Sequence, residues 1–165
     1  ACTNQQVFVT GAVSIYKAKH TQSLDIDHGG RVITKCLSIF EQERELWKAW
    51  QKKEQSDRQA FNCFAGMLKA VNALVLSAEG HQPEDILNKM PRRNTSLEYM
   101  WNKWNTVYRK RLGGNFWAVY NAMTDWSTHA GTARESTMAN IASVKNQRHE
   151  AIRSAIVSSD MRKAA

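Results

Sequence analysis

TSLEYMWNKWNTVYRKRLGG, residues 95–114, is the stretch from which the fold of this 165-residue chain is read. Leu97, Trp101, Trp104 and Tyr108 recur at steps of four, three and four, which places them on one face of an α-helix. Thr95 and Glu98 have the spacing of a capping box, and Gly113-Gly114 supplies a stop. Two tryptophans and a tyrosine on one stripe are read as core, so neighbouring helices must cover them.

Working outward, the same periodicity predicts further helices. One runs from about Arg31 to Glu54 and carries Ile33, Leu37, Phe40, Trp47 and Trp50. Ser56 and Gln59 form a capping box for the next, whose stripe is Phe61, Phe64, Leu68, Val71 and Val75. A short turn of helix covers Glu84 to Lys89, before Pro91. Asn115 caps a helix over Phe116 to Ser127, and one member of the adjacent Phe116-Trp117 pair is expected to be exposed. A loop over His129 to Thr137 precedes a last helix, about Met138 to Ser158, with Ile141, Val144, Arg148, Ile152 and Ile156 on its facing stripe. Asp25 to Gly30 (DIDHGG) reads as a loop by composition.

The N-terminal region reads differently. Val7, Val9, Val13 and Ile15 fall on alternate positions, with Gly11 as a turn or bulge, which predicts a short β-hairpin. The expected class is therefore α+β, predominantly α: an N-terminal hairpin followed by a bundle of about five helices in a single domain. The chain opens without an initiator Met, which fits either a trimmed Met or a piece of a longer protein.

Composition limits the function classes. Hydrophobic residues make up 42% of the chain, enough for a core, and no apolar run approaches the roughly 20 residues of a membrane span. Cys2, Cys36 and Cys63 stand singly, which suits a reducing compartment and predicts a cytoplasmic protein. No phosphate-binding loop, dinucleotide fingerprint, zinc-protease or nucleophile-elbow motif is present. The five histidines are scattered, so neither a metal nor another cofactor is expected, and the balance leans away from an enzyme without closing that reading.

Charge is the strongest functional signal. With 23 Lys and Arg against 15 Asp and Glu, the net charge is +8, which attracts polyanions. Between Ile86 and Gly114 seven bases face one acid, Glu98. Arg92 and Arg93 precede a helix start, where cations are unfavourable, while Arg109, Lys110 and Arg111 sit in the last turn, where they complement the helix dipole. These five, with Lys17, Lys19 and Arg134, are the candidate nucleic-acid contacts. Single-stranded DNA is the favoured partner because aromatic residues interleave with the bases.

Around NFWAVYNAMTDWSTH, residues 115–129, the chain resembles a widespread family of uncharacterised phage and plasmid proteins. The matching residues are Trp117, Tyr120, Asn121, Ala122, Thr124, Trp126 and His129, supported by Cys2-Thr3-Asn4, Lys19-His20 and the stretch Val144 to Arg148. The resemblance implies a mobile-element origin, a bacterial host and a chain that is the C-terminal portion of a longer protein, and hands over no activity. It leaves Tyr120, Asn121, Thr124 and His129 as either a polar site or buried residues locking the last helix. Three functions stay open: a nucleic-acid-binding protein of replication, recombination or strand annealing; a helical module docking on a protein; and an enzyme completed by residues elsewhere. A homo-oligomer is compatible with each.

Overall fold

A computed structural model describes residues 26–131 and 138–161 of the chain. Its residues divide into two units, 1–50 and 51–165. The elements are α1 (Ile26–Lys52), α2 (Asp57–Met67), α3 (Val71–Ala78), α4 (Pro83–Lys89), α5 (Thr95–Lys103), a π-helical turn (Trp104–Tyr108), α6 (Arg109–Leu112), α7 (Phe116–His129) and α8 (Met138–Met161).

This corrects the expected α+β class: among the described residues every element is a helix, and the one β-type pairing is an isolated bridge between Glu54 and Asn115. The hairpin expected over residues 7–18 lies outside the described residues. The DIDHGG loop is corrected too, since α1 begins at Ile26 and runs through Gly29 and Gly30. Two glycines weaken a helix but do not forbid it when a long helix continues behind them.

In the first unit, α1 turns Ile33, Leu37 and Phe40 outward, and all three are exposed. Phe40 meets Trp47 edge-on, with ring centroids 6.3 Å apart.

In the second unit, α2 packs against α3, α5, α7 and α8, while the α5–α6 rod lies along α7. Ser56 caps α2 as expected: its hydroxyl accepts from the Gln59 amide, and the Gln59 side chain accepts from the Ser56 amide. The single helix expected through Val75 is corrected to two, broken at Lys69, whose φ is +54°. The Ala70 amide donates back to Ala65 and the Lys69 amide to Gly66, the paired bonds of a Schellman stop. The same motif ends α3 at Gly80, φ +99°, with His81 donating to Leu76 and Gly80 to Ser77. Glycine announces the second stop. A lysine in the left-handed region hides the first.

The centre of the unit is α7. From Phe116 to Ser127 all residues but Tyr120 are buried, so the expectation that Phe116 or Trp117 is exposed fails for both. The reason is position: α2, the α5–α6 rod and α8 all pack on this helix, and Asp125 is its only charged residue over that span. Asn115 caps it by accepting from the Ala118 amide at 3.0 Å. At its other end Arg148 of α8 donates to the Ala130 carbonyl at 2.9 Å and lies 4.8 Å above the Trp126 ring. A cation at a helix C-terminus satisfies orphan carbonyls and complements the dipole. Ile152 and Ile156 of α8 are buried, as their stripe predicts.

Candidate nucleic-acid interface

Of the basic residues singled out in the sequence, Arg92, Arg93, Arg109, Lys110 and Arg111 sit along one rod, from the approach to α5 through α6, and its two ends and its middle differ. At the first end the cap is Asn94, whose Oδ1 accepts from the Leu97 amide at 3.1 Å. Thr95 is thus the first helical residue, and the capping box expected there is not formed. Glu98 instead receives Arg93, whose Nε donates to both carboxylate oxygens at 2.9 and 2.7 Å. The cation that looked unfavourable before a helix start is balanced by an acid one turn in. Arg92 remains exposed and lines a cleft of about 410 Å³ with Lys69, Asn72 and Asn94.

In the middle, the π turn carries Trp104 and Tyr108 into the core, both essentially without exposure. The Arg109 amide reaches five residues back to the Trp104 carbonyl, which adds one residue to the turn. Tyr99 donates to Asp125 Oδ1 at 2.8 Å, and Tyr108 donates to Asp125 Oδ2 at 2.7 Å. Lys103 Nζ lies 3.2 Å from Oδ2 and 5.5 Å from the centre of the Tyr99 ring. A carboxylate 4% exposed thus has three donors, which is what makes its burial tolerable. Burial first, and then the hydrogen bonds to Asp125, hold both phenols well above their ordinary pKa. His129, one helical turn beyond Asp125, is exposed, while the Asp125 oxygens accept from the two tyrosines.

At the far end Asp57, the first residue of α2, accepts from Trp104 Nε1 at 3.2 Å and from Arg109 at 2.7 Å. Lys110 and Arg111 stay exposed. Gly113, at φ +86°, turns the chain so that Gly114 accepts from the Gln55 amide and the Phe116 amide donates to Lys53, each at 2.8 Å. That crossing brings Lys53 to this end, its ammonium 4.9 Å above the Phe116 ring. Lys52 is exposed beside it.

The structure therefore separates the two basic clusters. Eighteen residues of helix at about 1.5 Å each put Arg92 and Arg111 on the order of 25 Å apart. Lys17, Lys19 and Arg134 lie outside the described residues. Within the aromatic block, Trp117 stacks on Tyr120 at 5.5 Å. Asn121 donates to the Trp117 carbonyl at 2.7 Å, and Thr124 to the Asn121 carbonyl at 3.1 Å. Asn121, Thr124 and Trp126 are buried, whereas Tyr120 is half-buried. Among the described residues no group of three or more His, Cys, Asp and Glu side chains could hold a metal ion.

Sequence reading missed Lys53 and Lys69, which reach these sites only through the chain crossing and the Schellman stop. It also missed the Asp125 network, although a signal was present: one acid in a twelve-residue buried helix must find a donor.

A helical protein with a basic, exposed helix end and a separate cationic cleft is the class that this geometry defines. The chain belongs to the family described as "Domain of unknown function (DUF932)", whose model matches residues 1–151. That match runs through residues 31–114, where the sequence offered no family motif. No curated protein and no solved structure matches the chain. Among the described residues no helix is long and apolar enough to cross a membrane.

Proposed function

We propose that this protein binds nucleic acid, single-stranded DNA foremost, through the far end of the α5–α6 rod. The process it serves is phage- or plasmid-borne replication, recombination or strand annealing in the cytoplasm of a bacterial host. The observation that carries the reading is the convergence of exposed Lys110 and Arg111 with Lys52 and Lys53, while Arg109 is anchored to Asp57. Anchoring one arginine fixes the α6 turn and leaves its neighbours free to meet phosphates. Such contacts release counterions, so affinity falls steeply as salt rises. Fluorescence anisotropy with labelled single- and double-stranded oligonucleotides, at low and high salt, tests this. Salt-sensitive binding weakened in Lys110→Gln/Arg111→Gln supports it, and affinity that is absent or flat across salt refutes it.

The exposed Ile33, Leu37 and Phe40 on α1 favour a second reading, a module that docks on a protein. A stable complex with a host or phage protein, lost in Leu37→Asp/Phe40→Asp and formed without nucleic acid, is its mark.

A further inference from the structure

We propose that the cleft between the α2–α3 break and residues 90–95 is a separate site for a phosphate-bearing ligand the size of one nucleotide. Its volume, about 410 Å³, lies in the range of small-ligand clefts, roughly 300–1,000 Å³. Its walls are Lys69 to Asn72 on one side and Met90 to Thr95 on the other, and no carboxylate lines it. Arg93 is neutralised by Glu98, but Lys69 and Arg92 enter no ion pair among the described residues. Two uncompensated cations on opposite walls, with no acid between them, suit an anion rather than a neutral or cationic ligand.

Polar donors stand beside these cations. Asn72 offers its side-chain amide, and Asn94, whose Oδ1 is occupied in capping α5, still has its NH₂ group to give. Ala70, in the capping position of α3, supplies no side-chain acceptor, so no side chain caps the first turn of α3, whose Val71 and Asn72 line the cleft. The remaining wall is apolar: Val71, Met90 and Pro91, with Val71 65% exposed. A phosphate held between Lys69 and Arg92 leaves an attached flat ring to lie on that wall. This is the division of a mononucleotide into charged and apolar parts. Lys69 is set in place by the Schellman stop, so one cation of the site comes from a fixed backbone rather than a wandering loop.

The ligand is either a free nucleotide or one unit of a strand, and the site is independent of the far end of the rod. The test is ¹⁵N NMR titration of the whole chain with thymidine 5′-monophosphate, thymidine, inorganic phosphate and a short oligo-dT. The expected result is saturable shifts at the Asn72, Asn94 and Thr95 amides with the monophosphate and none with thymidine. Inorganic phosphate should bind at least tenfold more weakly. Lys69→Gln/Arg92→Gln should weaken the monophosphate at least tenfold with the remaining spectrum intact, and Asn72→Asp should abolish binding. Lys110→Gln/Arg111→Gln should leave it unchanged, so failure here is separable from failure of strand binding at the far end. Oligo-dT moving the same amides assigns the ligand to a strand, and no such movement assigns it to a free nucleotide. No saturable shift with the monophosphate, equal shifts with thymidine, equal affinity for inorganic phosphate, or an unaffected double variant overturns the proposal.

Discussion

Lys103 and Lys110 stand seven residues apart on the same rod and are used in opposite ways. Lys103 is two-thirds covered, lies 3.2 Å from Asp125 and sits against the Tyr99 ring. Lys110 is exposed, in a final turn where Arg109 is anchored and Arg111 is free. The middle of the rod therefore has its charge consumed by the core, and its ends keep charge for solution. A buried charge must be paired where it lies, whereas an exposed one carries little desolvation cost and can wait for a partner. The ends are alike in one respect: each has one arginine committed to a carboxylate, Arg93 to Glu98 and Arg109 to Asp57, beside exposed cations such as Arg92 and Lys110.

Several substitutions separate middle from ends, beginning with the largest effect. Trp104→Ala removes a fully buried indole and its bond to Asp57, and should cost about 3–5 kcal/mol in denaturant unfolding. Asp125→Ala strands two phenols and an ammonium, and should cost about 3 kcal/mol by the same measurement. If either variant left stability unchanged, the middle of the rod would not be a locked region.

The phenols sharpen the point through pH. Their folded pKa values lie above the ordinary ~10, so the folded state keeps protons that the unfolded state gives up. Their contribution is complete below about pH 10 and declines as pH rises beyond it. Thermal midpoints should fall above pH 10, less steeply in Tyr108→Phe, and equal slopes would contradict the burial argument.

Effects at the ends are on binding rather than folding. Lys110→Gln/Arg111→Gln should change stability by less than about 0.5 kcal/mol. On a single strand it should lower the salt slope, in log–log form, by about 1.4 if both residues meet phosphates. The smallest effect separates two neighbours. Arg93→Gln should cost under about 1 kcal/mol because its ion pair is exposed, and Arg92→Gln should be neutral in the same unfolding assay.

Much of the helical framework was legible in the chain. The stripe Leu97, Trp101, Trp104 and Tyr108 predicted a buried face, and all four are buried. Ser56, Asn115 and Gly113 marked helix ends because capping and positive φ are local chemistry. The site was less legible. Arg92-Arg93 and Arg109-Lys110-Arg111 read as one patch because sequence counts charge without distance, yet a rigid helix holds them apart.

Local periodicity and end signals, then, are what the sequence by itself determined: where most helices start and stop, which stripes turn inward, and that the chain is strongly basic. These depend on a residue and its neighbours within about a turn. Tertiary structure alone decided that α7 is buried on nearly every side, that Asp125 meets Tyr99, Tyr108 and Lys103, and that Lys53 joins the end of α6. Each depends on residues far apart in the chain, and only packing determines which of them meet.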